Sequence, residues 1–333
     1  MEDCDREGYI LNNRQVTKLK YYLGFDIGGT KCAVVIGDES GNVVAKTKIP
    51  TTTVYETLVS IFDIAEGYVN EYHPVSVGIS CGGPLDPEKG IIMSPPNLPG
   101  WDNVEIVRMV RERFELPAVL CNDANACALA EWRYGAGKGS KNMVFLTFGT
   151  GLGAGIIIDG KIYNGANGNA GEVGHIRLDR FGPVGYGKKG SFEGFASGGG
   201  IAQLGKTAAV EKLQSGKTTG YCKSFDELDT VTAKTIADAA DAGDETALEV
   251  YGLCADMLGY GLSILVDILN PEVIVIGSIF QRSANLLRDR MDAVMRRECL
   301  PISYEAVKVV PAALADDLGD KAALALAQSV ITE

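Results

Sequence analysis

One pattern occurs twice in this chain, and it narrows the possible folds more than any other feature. From Tyr22 to Val35 the sequence YLGFDIGGTKCAVV alternates apolar residues (Leu23, Phe25, Ile27), breaks at Gly28-Gly29-Thr30, and resumes as an apolar run from Cys32 to Ile36. From Met143 to Ile158 the sequence MVFLTFGTGLGAGIII again runs apolar strand, glycine-rich turn with threonines, apolar strand. Each copy leads through a second turn, Asp38 to Gly41 or Asp159-Gly160, into a third strand, Asn42 to Lys48 or Lys161 to Tyr163. A repeated strand–turn–strand–turn–strand start predicts two similar α/β domains whose glycine turns face each other across a cleft. Glycines let the backbone turn sharply and leave amides uncovered for an oxyanion. Thr30 adds a hydroxyl, Lys31 a cation and Asp26 a carboxylate, which together suit phosphate plus magnesium. The Walker spacing G-x-x-x-x-G-K-[ST] is absent. On the first stretch alone, a plain glycine hairpin with a surface lysine reads as well; the recurrence favours two backbone cradles for the polyphosphate of a nucleotide.

A length of 333 residues accommodates two domains with proper cores. Hydrophobic residues make up 46% and charged residues 22%, as in soluble globular proteins. A formal net charge of -12 argues against a nucleic-acid surface, which needs clustered Lys and Arg. The eight cysteines, at 4, 32, 81, 121, 127, 222, 254 and 299, form no C-x-x-C pair and lie mostly in apolar segments. That usage predicts reduced, buried thiols of a cytoplasmic protein. The acidic start MEDCDREG lacks a signal-peptide pattern, and the apolar segment Met257 to Leu269 is too short to span a bilayer and carries Asp267. A soluble protein without membrane contact is expected.

Residues 1–20 read as a polar N-terminal arm, 21–137 as an N-terminal α/β domain and 138–318 as a C-terminal one. A closing helix, about 319–333, is a candidate to pack back on the first domain. Thr53-Val-Tyr-Glu56 fits a capping box ahead of a helix with Leu58, Ile61, Phe62, Ala65 and Val69 on one face. The loop Met93 to Trp101, MSPPNLPGW, excludes helix through its prolines, and contact with a ligand is one reason for such a loop to be ordered. A strand from Ala118 stops at Asn122-Asp123 before a helix to Tyr134, where α/β folds place ligands. Further on, helices are expected near 192–196, 200–214, 233–242 and 244–269, the last ended by Asn270-Pro271. Asn164 to Gly190 reads as irregular, and Ser283 as the cap of a helix to about Arg297.

Of two histidines, His73 precedes a proline in a turn, whereas His175 lies in Gly-Glu172-Val-Gly-His175 with Glu193 beyond. A carboxylate–imidazole–carboxylate set can hydrogen-bond the vicinal hydroxyls of a sugar, although loop residues of these types are commonly surface groups. Asp123 is the candidate general base for phosphoryl transfer to a hydroxyl, with Asn122 beside it. The same Asn-Asp pair also reads as a helix cap.

Six segments then resemble, in order and spacing, the ROK family of sugar kinases and sugar-responsive repressors. They are DIGGTK at 26–31, GISCGGPLDPEKG at 78–90, PNLPGW at 96–101, NDANACALAEWRYGAG at 122–137, TFGTGLGAGIIIDGKIYNGANGNAGEVGHI at 147–176 and GSFEGFASG at 190–198. The resemblance implies a ribonuclease H-like, actin/hexokinase-type pair of domains and a cytoplasmic, homodimeric kinase that uses ATP and magnesium. It implies a first phosphate loop of Asp26, Gly28, Gly29, Thr30 and Lys31, with Asp26 near magnesium through water. A second loop would comprise Thr147, Gly149, Thr150, Gly151 and Gly153. Gly277 and Ser278 match the adenosine-side turn, where two glycines are more usual. Asn122, Asp123, Glu172, His175 and Glu193 match sugar contacts, with Asp123 the catalytic base; Gly83 and Asn97 fall in loops lining the sugar pocket. Glucose, phosphorylated at its 6-hydroxyl, is the default acceptor, with N-acetylmannosamine or N-acetylglucosamine as the alternative. A sugar-sensing repressor would carry a helix-turn-helix ahead of the first loop, for which about twenty residues are too few.

Many relatives in that family hold a structural zinc with the histidine of the GHI segment and three cysteines in CGCGxxGCxE. Here Val184, Tyr186 and Ser191 stand where those cysteines would be. A closed zinc site needs about four N or S ligands, so no structural zinc is expected, with Tyr186 and Phe192 packing the loop and His175 left for sugar. Metal analysis of the purified protein should find no stoichiometric zinc; one zinc per chain would overturn this reading.

Overall fold

A computed structural model describes residues 9–12 and 15–332. The described residues up to Tyr134, with Gly165–Gly168 and those from Asp316 on, form one compact unit; Gly135–Asn164 and Asn169–Ala315 form a second. The first unit contains β1 (Tyr9–Asn12), β2 (Gln15–Lys18), β3 (Tyr22–Ile27), β4 (Lys31–Gly37), β5 (Val43–Pro50), α1 (Val54–Tyr72) and β6 (Val77–Cys81). Two short strands, β7 (Leu85–Asp86) and β8 (Ile91–Ile92), precede α2 (Ile106–Phe114), β9 (Ala118–Asn122) and α3 (Asp123–Tyr134). The second unit begins with β10 (Met143–Phe148), β11 (Leu152–Ile158) and β12 (Lys161–Ile162), then a 3-10 turn, Val173–His175. The hairpin strands β13 (Val184–Gly185) and β14 (Lys188–Lys189) lead to α4 (Phe192–Phe195), α5 (Gly198–Gln214), α6 (Ala233–Asp241) and α7 (Glu245–Leu269). It closes with β15 (Val273–Ile276), α8 (Ile279–Glu298), α9 (Pro301–Ala306) and β16 (Lys308–Pro311), and α10 (Leu318–Thr332) returns to the first unit.

The two large sheets have one topology. In the first, the order is β5-β4-β3-β6-β9; in the second, β12-β11-β10-β15-β16. Each has three antiparallel strands in sequence, then two strands parallel to the first of them. Both glycine turns close the first hairpin of their sheet. This is the duplicated ribonuclease H-like, actin/hexokinase-type α/β fold that the resemblance implies.

In unit 1, Leu23, Phe25 and Ile27 of β3 and Cys32, Val34 and Ile36 of β4 alternate into a core shared with α1 and α2. Ala33 and Val35 of β4 face the other way, onto Leu324 and Ala327 of α10. Thr53 caps α1, its Oγ1 accepting from the Glu56 N–H at 3.3 Å and donating to the Glu56 carboxylate at 3.0 Å. The side chain of Leu98, 1% exposed, and that of Trp101, fully buried, pin the proline-rich loop into the unit 1 core. In unit 2, α7 is long and apolar enough to cross a membrane by length and composition, longer than the 257–269 stretch suggests. Its side chains from Val250 through Val266 instead contribute heavily to that unit's core. Asn270 ends it in left-handed backbone (φ 44°), its N–H donating to Val266 O at 2.8 Å.

Three expectations need correction. Within the segment read as a polar arm, β1 and β2 pair antiparallel, while residues 1–8, 13 and 14 of that arm lie outside the described residues. Ser283 does not cap α8. The helix starts at Ile279 because buried Ile279 and Phe280 anchor its first turn, and Ser283 sits inside at a kink (φ -126°, ψ 29°). The 164–190 stretch is not uniformly irregular, since it holds the 3-10 turn and the β13–β14 hairpin. Other element ends move by one to three residues.

Helix α10 lies so close to the unit 1 sheet that a Cβ on Gly78 would sit 2.1 Å from Ala323 O and 2.4 Å from Ala327 N. Neither backbone atom can yield without moving the helix. Gly78→Ala should therefore destabilise the protein by about 2–3 kcal/mol. Gly67→Ala, in α1 with nothing near its added methyl, should stabilise by about 0.5–1 kcal/mol. Denaturant midpoints of the two variants check both signs.

Candidate functional site

The parallel register sets Ile27 of β3, Cys81 of β6 and Asn122 of β9 side by side at the carboxyl edge of the unit 1 sheet. Everything that leaves that edge carries a candidate residue. After β3 comes the first glycine turn, closed by Gly28 N–H donating to Lys31 O at 3.2 Å, with Thr51 Oγ1 donating to Gly28 O at 2.6 Å. Thr30 and Lys31 stand exposed there. A Cβ on Gly29 would lie 2.3 Å from Asn97 O, so glycine is required for the proline-rich loop to reach the turn. After β6, Gly82 lies near Asn97, and a Cβ on Gly83 would be 3.4 Å from Asn122 Nδ2. The loop thus brings Gly29, Asn97, Gly83 and Asn122, far apart in sequence, into one cluster.

After β9, Asn122 Oδ1 and Asp123 Oδ1 both accept from the Ala124 N–H, at 2.9 and 2.8 Å. The pair therefore does start α3, as its cap reading predicts. The Asp123 carboxylate remains exposed, yet loss of hydration to the surrounding protein raises its pKa above the usual range, opposed by the Ala124 N–H.

Asp26 lies on the α10 face of β3, and a Cβ on Gly319 would be 2.6 Å from its Oδ2. Burial pushes its carboxyl up to about 6, helped by repulsion from Asp320 and Asp123 and opposed by Lys46 and Lys31. Asp320, in the first turn of α10 and 5% exposed, pairs with Lys46 of β5. Neither residue of this pair carries a sequence signal, because it joins positions far apart on the chain.

In unit 2 the second glycine turn docks on the start of α5: Gly198 N–H donates to Gly149 O at 2.7 Å and Gly199 N–H to Thr150 O at 3.3 Å. Thr147 Oγ1 binds within the hairpin, accepting from Gly153 N–H at 3.0 Å, so its hydroxyl braces the turn. Beside the turn lies a cavity of about 570 Å³, and Thr150, Gly199, Thr232, Lys234, Ser278 and Arg282 are among its lining residues. Helices α5, α6 and α8 all present their N-termini to it. Aligned peptide dipoles make such ends favourable for anions. Gly277 N–H donates to Leu146 O at 3.0 Å, continuing the sheet up to Ser278, which holds φ 55° and whose Oγ accepts from Arg282 Nη2 at 3.2 Å. Thr232, Lys234 and Arg282 escaped the sequence reading; only the run Ser197-Gly198-Gly199-Gly200, a cap before glycines, signalled this end of the cavity.

On the other side of the turn, Glu193 Oε2 accepts from Leu152 N–H at 3.0 Å. Phe192 N–H donates to Ile176 O at 2.8 Å, joining the segment of Glu193 to that of His175. Glu172 and His175 are exposed on the 3-10 turn and its N-terminal flank. Phe192 is fully buried, as expected, whereas Tyr186 is 75% exposed and does not pack the loop. Its ring instead meets that of His175 edge-on, centroids 5.2 Å apart, so His175 is not left without a neighbour.

Comparison with known proteins adds four findings. A model of the ROK family matches residues 22–330. A glucokinase of Halalkalibacterium halodurans is 33% identical over 310 residues, covering 90% of this chain and 92% of the relative. Among solved structures, a ROK hexokinase from Thermus thermophilus has a TM-score of 0.79 at 27% identity, covering 94% of this chain and 99% of its own. A ROK glucokinase from Streptomyces griseus, in complex with glucose and AMPPNP, has a TM-score of 0.69 at 30% identity, covering 93% and 99%.

Because the fold raises the Asp26 pKa above its ordinary 3.8, the folded chain holds that proton more tightly than the unfolded chain. The group's stabilising contribution is complete below that ordinary value and is lost as pH rises through about 6. Asp26→Asn should therefore gain about 1–2 kcal/mol over the native chain near pH 8 and gain nothing near pH 4. Melting temperatures at the two pH values test this; a loss at the higher pH would contradict it.

Proposed function

The chain belongs to the ROK family and is a sugar kinase, and on that premise we propose that it transfers the γ-phosphate of ATP to the 6-hydroxyl of glucose with Asp123 as general base. The observation that carries this reading is Asp123 itself, a carboxylate with raised proton affinity at the strand edge that also holds Asp26 and the first glycine turn. A carboxyl with a raised pKa takes a hydroxyl proton more readily as the oxygen attacks. In unit 1, Asn122, Asn97 and the Gly82-Gly83 backbone give polar groups to hold hydroxyls; in unit 2, Glu172, His175 and Glu193 are assigned to sugar contacts. In unit 2 the cavity with three helix N-termini suits a nucleotide, its phosphates toward Thr150 and Ser278.

Asp26 fits magnesium by the chemistry of its donor. Its carboxylate is crowded by Asp320 and Asp123, and a divalent cation beside it would offset that repulsion. When bound, magnesium would offset negative charge on the nucleotide's phosphates. Glucose is preferred because the relatives named as glucokinases, one of them in complex with glucose, resemble this chain over almost its whole length. A homodimer acting in the cytoplasm completes the reading.

A coupled assay with ATP and magnesium, across glucose, mannose, fructose, N-acetylmannosamine and N-acetylglucosamine, should give the highest kcat/KM for glucose. A preference for either N-acetylhexosamine would replace the acceptor and leave the mechanism standing. Asp123→Asn should lower kcat by about 10²- to 10⁴-fold; undiminished turnover in that variant would end the mechanism.

A further inference from the structure

We propose that Tyr186 is the positioning residue of His175, acting through the β13–β14 hairpin; the inference rests on the reading of His175 as a sugar contact. Between β13 and β14 stand two residues, Tyr186 at φ 44° and Gly187 at φ 76°. A two-residue turn with both central residues in left-handed backbone favours Asn, Asp or Gly at its first position. An aromatic residue there is strained, and with 75% of its surface exposed Tyr186 recovers little of that strain by burial. What the side chain does gain is one ring contact, on His175, at an interplanar angle of 79°.

The hairpin also grips the backbone of His175, whose carbonyl accepts from Lys188 Nζ. Arg177, two residues further on, reaches back with Nη1 to Lys189 O at 2.6 Å. The hairpin is itself held firmly. Val184 N–H donates to Gln203 Oε1 at 2.9 Å and Val184 O accepts from Gln203 Nε2 at 2.8 Å, tying β13 to α5. Gly185 lies flush on the helix that carries Glu193: a Cβ there would be 2.6 Å from Gly194 N and 2.8 Å from Glu193 Cβ. One short hairpin thus bears on the His175 ring, on the His175 backbone and on the helix of Glu193.

His175 is an exposed side chain, and by itself an exposed imidazole samples several rotamers. Ring contact with Tyr186 limits that sampling, so less rotamer freedom is lost when a sugar hydroxyl binds. The effect therefore falls on acceptor binding and spares the phosphoryl-transfer step.

The chain has only two histidines, so NMR of the full-length protein shows two sets of imidazole signals, and His73→Gln identifies the set of His175. Tyr186→Ala should shift the His175 ring signals, raise the KM for glucose by about two- to tenfold, and leave kcat nearly unchanged. Tyr186→Phe should keep both signals and KM. Tyr186→Gly suits the turn better than tyrosine, and should still raise KM, which separates loss of the ring from damage to the hairpin. Native signals or native KM in Tyr186→Ala, with His175→Gln raising KM, overturns the proposal alone. A His175→Gln variant with native KM removes the sugar-contact reading and the proposal with it.

Discussion

Parallel pairing of β3, β6 and β9 is the constraint on which the candidate site in unit 1 rests. Parallel strands about 4.8 Å apart that stop at one level place the chain segments after them side by side. Here those segments are a glycine turn, a glycine-proline loop and an Asn-Asp pair. A one-residue slip of β9 would send Asn122 to the opposite face of the sheet, so the buried pattern of Leu120 and Ala118 that sets the register also sets the site.

Unit 2 uses the same pairing for a different electrostatic end. Its β10 and β15 run parallel up to Leu146 and Ile276, so the second glycine turn and Gly277-Ser278 emerge together. Around them the chain arranges helix N-termini, where unit 1 gathers the carboxylates of Asp26, Asp123 and Asp320. Positive helix ends favour an anion, while clustered carboxylates favour a cation or a hydroxyl proton. Two copies of one topology thus carry different polar groups at corresponding edges; in unit 2, Asp238 and Asp241 line the cavity beside Lys234 and Arg282.

Some strain and repulsion fall where chemistry is proposed. Ser278 and Tyr186 hold positive φ without being glycine, and half-buried Asp26 feels repulsion from Asp320 and Asp123. Each would be more comfortable as another residue in a protein selected for stability alone. The surrounding structure holds them through ordinary means: Gln281 accepting from Ser278 N–H at 2.9 Å, Gln203 gripping Val184, and Lys46 pairing with Asp320.

Much of the architecture was legible from residue order, because strand alternation, glycine turns and helix caps are local properties. The repeated hairpin, the α1 cap at Thr53 and the end of α7 at Asn270 all follow from neighbours within a few positions. The glycine turns and Asn122-Asp123 were visible for the same reason, as motifs of adjacent residues. The start of α8 was misread because burial of Ile279 and Phe280, a tertiary fact, outweighs the capping preference of Ser283. Only folding decided that Asn97 touches Gly29, that Lys46 finds Asp320, that Thr147 spends its hydroxyl on Gly153, and that Tyr186 meets His175. Those contacts depend on how sheets and loops stack, and distance along the chain carries no record of them.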